Sequence, residues 1–163
     1  MTVMPRVKAR ERDRVVEIAK NVDLHKLPFL VDEKNLNDLG VDIAKDLLET
    51  LNDVNKSISL KWCFSTVKKA KVFTIIYQAN EAGHSIYKEE ISKKLTEYSY
   101  KTIASIVDEG VEKKYYVSLD PYEKVVSDKK IKNIRPSLEV ITSFYNWNIE
   151  RIARIAKLVE KYK

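Results

Sequence analysis

Chain-breaking residues are scarce: three glycines and four prolines in 163 residues. So few argue against loop-dominated folds, collagen-like repeats and the many tight turns of a β-sandwich, and favour a mainly helical chain. The single cysteine, Cys63, excludes an intrachain disulfide and a Cys-rich zinc site. Flanked by Trp62 and Phe64, it reads as a buried thiol suited to a reducing cytoplasm. The two histidines, His25 and His84, have no His, Cys or carboxylate at i+3 or i+4, so neither a metal nor a cofactor is expected. There is no glycine-rich phosphate loop and no Gly-x-Ser-x-Gly elbow. The adjacent acids Glu89-Glu90 and Asp108-Glu109 diverge on a helix and make poor catalytic dyads. An enzyme is not expected. No apolar run approaches the roughly 18 residues of a membrane span, and the basic start MTVMPRVKARERDR is not followed by the apolar stretch of a signal peptide.

What is present is charge and periodic apolar sequence. Thirty Lys and Arg against 24 Asp and Glu leave a net charge of +6, which permits a nucleic-acid partner without demanding one. The charge is uneven: residues 21–60 are acidic, whereas 1–20 and 61–163 are basic, so any DNA surface should be local. The N-terminal Arg6, Lys8, Arg10, Arg12 and Arg14 read either as a basic arm on phosphate or as a solvated helix start. Length and apolar content suit one domain with helical extensions.

Val15, Ile18, Ala19 and Val22 recur at helical spacing and place a first helix over about 6–22. Leu36, Leu39, Ile43, Leu47, Leu51 and Val54 form one face of a second, with its acids toward water. A third, Ser59 to Ala82, carries Trp62, Val67, Ala70, Phe73, Ile76 and Tyr77 and stops at Gly83 in a left-handed turn. Two shorter helices follow, over 86–95 with Ile91 and Leu95 inward, and over 100–113 with Ile103, Ile106 and Val107 inward. Ser99 is the N-cap of the latter. The period then shifts from helix to strand. Tyr115 to Leu119 is rich in strand formers, Asp120-Pro121 signals a turn, and Lys124 to Val126 and Ile131 to Ile134 can return. Over 137–162 a near-heptad of Leu138, Ile141, Tyr145, Asn148, Ile152, Ile155, Val159 and Tyr162 calls for a partner helix, in a second chain or in the same one.

The order of three helices, a hairpin and a final helix resembles the winged helix-turn-helix of transcription regulators, particularly small bacterial and archaeal dimers of the MarR-like kind. The resemblance covers residues 61–135. Ile86-Tyr87-Lys88-Glu89-Glu90-Ile91-Ser92-Lys93-Lys94-Leu95 is similar to the first motif helix. Ser99-Tyr100-Lys101-Thr102-Ile103-Ala104-Ser105-Ile106-Val107 is similar to the recognition helix, and Glu112 to Val117 to the lead into the wing. Three positions depart from the pattern, the first being Tyr87 at the N-cap of the first motif helix, where Ser or Thr is usual. Gly110 stands where a large apolar residue is usual, so either the helix ends near 110 or the register slips by one. Lys114 stands where Gly is common.

The resemblance implies a mainly α fold with a β-hairpin wing. The extents read from the sequence are an N-terminal helical extension over 1–58, a winged domain over 59–135 and a dimerisation helix over 136–163. It implies sequence-specific binding of double-stranded DNA by a homodimer in the cytoplasm. Tyr100, Lys101, Thr102 and Ser105 would face bases, Lys93 and Lys94 an adjacent phosphate, and Lys129, Lys130 and Lys132 phosphates from the wing. Leu138, Ile141, Tyr145, Asn148, Ile152, Ile155 and Val159 would pair the chains. Two alternatives accompany this reading. Tyr98, Tyr100, Tyr115 and Tyr116 could stack on single-stranded bases or simply pack in the core. The domain could instead be a protein adaptor in a replication, transcription or segregation complex, docking a partner through the acidic segment 23–58 or the heptad stripe.

Overall fold

The computed structural model describes residues 14–84, 86–119 and 132–163. These fall into two compact units, one of residues 53–147 and one that combines the chain before 53 with residues 148–163. The elements are α1 (14–21), a 3-10 turn Leu24–Lys26, α2 (Glu33–Val54), α3 (Ile58–Cys63), α4 (Val67–Glu81), α5 (Lys88–Lys94), α6 (Tyr100–Glu112), β1 (Tyr116–Leu119), β2 (Asn133–Pro136) and α7 (Leu138–Tyr162). The chain is thus mainly helical with one antiparallel hairpin. This is the winged helix-turn-helix order expected from the sequence. The part of the first helix expected before residue 14 lies outside the described residues.

The unit of residues 53–147 has a continuous core. Leu60, Cys63, Val72, Phe73, Ile76, Ile91, Ile103, Val107, Tyr116 and Val140 are all essentially without solvent exposure. Phe64, Phe73, Tyr77, Phe144 and Trp147 interlock around it with ring centroids 4.5–6.2 Å apart, mostly in the tilted and edge-on geometries that aromatic quadrupoles favour. The long helix expected from Ser59 to Ala82 is in fact two, because hydroxyls at its middle offer the backbone other partners. Ser65 Oγ donates to the Trp62 carbonyl at 2.7 Å, and Thr66 Oγ1 accepts the Lys69 N–H at 3.1 Å as the N-cap of α4.

The hairpin pairs Tyr116 with Pro136, Val117 with Arg135, Ser118 with Ile134 and Leu119 with Asn133. Its return strand therefore starts two residues later than the expected segment Ile131–Ile134. The stretch 124–126 lies outside the described residues. Ile86, just ahead of α5, joins the sheet by accepting the Ile134 N–H at 2.7 Å.

The helix does not end at Gly110. This residue lies buried inside α6, which continues to Glu112, and a Cβ there would sit 2.2 Å from the Tyr116 ring and 3.1 Å from Trp62. The missing side chain is the seat for Tyr116. Lys114 adopts φ +66°, the left-handed turn that a glycine would enter more easily, and Gly83 ends α4 at φ +77° as its position implies.

In the other unit, Phe29 stacks on Tyr162 with centroids 5.3 Å apart, and Val15, Leu36 and Leu39 are buried. The remainder of α2 departs from expectation. Its polar side carries the contacts to α7: Arg154 donates to Asp46 Oδ1 at 2.9 Å and to Thr50 Oγ1 at 2.8 Å, while Lys161 and the Tyr162 hydroxyl donate to Asp42 at 2.8 and 2.7 Å. Thr50 is buried, whereas Ile43, Leu47, Leu48 and Leu51 are exposed, Leu47 at 56%. Arg151, Arg154, Lys157 and Lys161 form a basic ridge along α7 whose spacing suits a solvated face, yet Arg154 and Lys161 supply two of these donors.

Candidate nucleic-acid interface

α5 and α6 are joined by the turn Thr96–Ser99, and two devices fix the start of α6. Ser99 Oγ accepts the Thr102 N–H at 3.2 Å and shares a hydrogen bond with the Thr102 hydroxyl at 2.9 Å. Burial of Ile103, Ile106 and Val107 holds the inner face on the core. What remains outward is a shallow surface of Tyr100, Lys101, Ala104, Ser105, Asp108, Glu109 and Glu112. Of the expected base-facing residues, Tyr100, Lys101 and Ser105 are exposed, and Thr102 is half-buried beside its cap. Lys93 and Lys94, at the end of α5, are also exposed, as is Lys132 at the start of the return strand. Lys129 and Lys130 lie outside the described residues.

The outward face of α6 is basic only at its beginning, and two of its acids, Asp108 and Glu109, have internal partners that the sequence did not reveal. Asp108 pairs with Lys88 at 2.6 Å. Glu109 accepts the Trp62 indole N–H at 2.9 Å and lies 3.9 Å from the Lys69 ammonium. Glu89 accepts the Tyr100 hydroxyl at 3.2 Å. Partial burial, and then the Glu89 charge, push the Tyr100 phenol above its ordinary value, so it keeps its proton at neutral pH. These pairings tie α5 and α3 to α6 and blunt the acids' repulsion of a polyanion.

The other tyrosines do not form a stacking platform. Tyr116 is 1% exposed, Tyr115 packs on Trp62 at 5.4 Å, and Tyr98 lies beneath the ammonium groups of Lys68 and Lys71 at 5.6 and 5.7 Å. Glu97 completes that corner by accepting from Lys71 at 2.9 Å, which lowers the carboxyl and raises the ammonium from their ordinary values. Cys63 is buried, and desolvation pushes its thiol up to about 12. A thiol in that state is a poor nucleophile and a poor metal ligand. Among the described residues no group of three His, Cys, Asp or Glu could hold a metal, and no helix is long and apolar enough to cross a membrane.

The heptad stripe of α7 is used within the chain only in part: Tyr162 stacks on Phe29 and donates to Asp42, while much of the rest is exposed. In residues 53–147 the helix buries Val140 and packs Phe144 and Trp147 against Phe64, whereas Leu138 is 79% exposed and Tyr145 is exposed, its hydroxyl donating to Glu81 at 3.0 Å. Farther along, Arg154 and Lys161 face α2, whereas Ile152 is 64% exposed and Ile155 is also exposed. Ile141, Asn148 and Val159 are half-buried.

No family model and no curated protein matches the sequence. Among solved structures, the chain is similar to the YusO protein of Bacillus subtilis, with 13% identity and a TM-score of 0.49 over 82% of this chain and 87% of that one. It is also similar to a transcriptional regulator of the MarR family from Rhodococcus sp. RHA1, with 17% identity and a TM-score of 0.41 over 76% and 80% of the two chains.

Proposed function

We propose that this protein is a double-stranded DNA-binding regulator that works as a homodimer and performs no catalysis. The observation that carries the reading is the α5-turn-α6 pair. α6 is capped by Ser99, buried along one side, and presents Tyr100, Lys101 and Ser105 at its N-terminal end. A helix so mounted can lay its first turns in a major groove, where base edges are distinguishable. Thr102 stands at the edge of that set. Lys93, Lys94 and Lys132 are exposed and would hold phosphates beside the recognition helix and from the wing; Lys129 and Lys130, outside the described residues, are assigned the same role from the sequence. Such contacts position the protein and make its affinity salt-dependent.

The exposed apolar faces of α2 and α7 support the dimer. Leu138, Ile141, Tyr145, Asn148, Ile152, Ile155 and Val159 would meet a second chain, and two recognition helices would enter major grooves about 34 Å apart. The test is duplex binding across a salt series, with selection from random sequence. An inverted repeat bound by a dimer, with affinity falling steeply as salt rises, is the expected result. Lys101→Glu should weaken that binding by about tenfold or more. One observation favours a second reading. The exposed Ile43, Leu47, Leu48 and Leu51 of α2 would also suit a docking partner for residues 23–58, and an adaptor of that kind would bind duplex no better than its net charge of +6 explains.

A further inference from the structure

The hydrogen bond between Tyr100 and Glu89 carries information about which base the recognition helix would accept. Tyr100 opens α6 and is 47% exposed, and Glu89 in the first turn of α5 is exposed beside it. The phenol has one proton to give and a lone pair left to accept with. That proton is donated to Glu89 Oε1. What the hydroxyl then offers outward is an acceptor, and an ionised Glu89 is an acceptor only. The neighbouring Lys88 ammonium is held toward Asp108.

An acceptor-only pair is unsuited to phosphate, to guanine O6 and N7, or to thymine O4, all of which are acceptors themselves. The donors a major groove displays are the exocyclic amino groups, N6 of adenine and N4 of cytosine. We propose that Tyr100 and Glu89 together select such an amino group at the base met by the start of α6, with Glu89 the positioning residue that sets the polarity of the phenol.

The inference rests on the DNA-binding reading, and the experiment separates the two. Sites would be selected from randomised duplexes with the unaltered protein, Tyr100→Phe and Glu89→Ala. The readout is base identity rather than affinity, since removing a carboxylate strengthens binding to any duplex. The unaltered protein should enrich one base pair at one position of each half-site; every pair carries one amino group in the major groove, so the donor is identified by replacing that pair's adenine with purine or its cytosine with 2-pyrimidinone, which should weaken binding by about tenfold. Tyr100→Phe should lower that enrichment by about tenfold, within the range of one specific base contact, and leave the salt dependence unchanged. Glu89→Ala frees the phenolic proton and should change the preferred base pair and remove the penalty for loss of its amino group. Both side chains are exposed, so the thermal midpoint should not move. A preference in the unaltered protein that is lost in Tyr100→Phe yet tolerates removal of the pair's amino group would overturn the inference while leaving DNA binding intact. An unchanged preference in Glu89→Ala would do the same. Absence of duplex binding by the unaltered protein even at low salt would remove both readings.

Discussion

α2 and α6 are both amphipathic helices with leucine, isoleucine and valine at helical spacing, yet they dispose of those residues in opposite ways. α6 buries Ile103, Ile106 and Val107 and shows its polar side. Beyond Leu39, α2 does the reverse, engaging α7 through Asp42, Asp46 and Thr50 and showing Ile43, Leu47, Leu48 and Leu51. An apolar stripe states that something covers it and not what. In α6 the cover is the chain's own core. In α2 Ile43, Leu47, Leu48 and Leu51 stay exposed, and under the proposed homodimer a second chain would cover them.

Substitutions should separate the two helices cleanly. Ile103→Ala, in the closed core, should cost about 2–5 kcal/mol of folding stability by denaturant titration, because it removes buried methylenes and leaves a cavity. Leu47→Asp combined with Ile152→Asp should cost the isolated chain little and weaken self-association by tenfold or more, measured by sedimentation across a concentration series. A chain that sediments identically with and without these changes would show that the α2 face is not a dimer surface. Ser99→Ala, which touches α6 only at its cap, should cost about 1 kcal/mol in thermal or chemical unfolding.

The smallest effect should come from acid. Hydrogen bonds from Lys161 and then Tyr162 hold the Asp42 carboxyl below its ordinary value. A depressed carboxyl stabilises the fold fully above its ordinary value of 3.8 and loses that contribution as pH falls through the lower folded-state value. Loosening of the α2–α7 contact, followed by Tyr162 fluorescence, should therefore be confined to the acid side of pH 4, and Asp42→Asn should abolish that pH dependence.

Much of the residue 53–147 unit was legible because its signals are local. Ser99 as a cap, Gly83 in a left-handed turn and the inward spacing of Ile91, Leu95, Ile103 and Val107 each depend on a few neighbouring residues. The break at Ser65-Thr66 was hidden because apolar spacing continues across it while two hydroxyls divert the backbone. The partners of Glu109 and Asp108 were hidden for a different reason. Trp62 and Glu109 are 47 positions apart, and nothing in the sequence of either helix marks the other. Likewise, Arg154 and Lys161 occur in a pattern that suits solvent as well as a facing row of carboxylates, and only the fold chooses between the two.

The contact between Gly110 and Tyr116 also bears on how this sequence can drift. With the ring lying where a Cβ would be, the two positions behave as one locus. A larger residue at 110 is harmful on this background and acceptable only after position 116 has become smaller. The reverse order passes through a protein with an unfilled hollow beneath Trp62. Each single step is disfavoured while the completed exchange need not be, so relatives that have made it would carry changes at both sites and seldom at one alone.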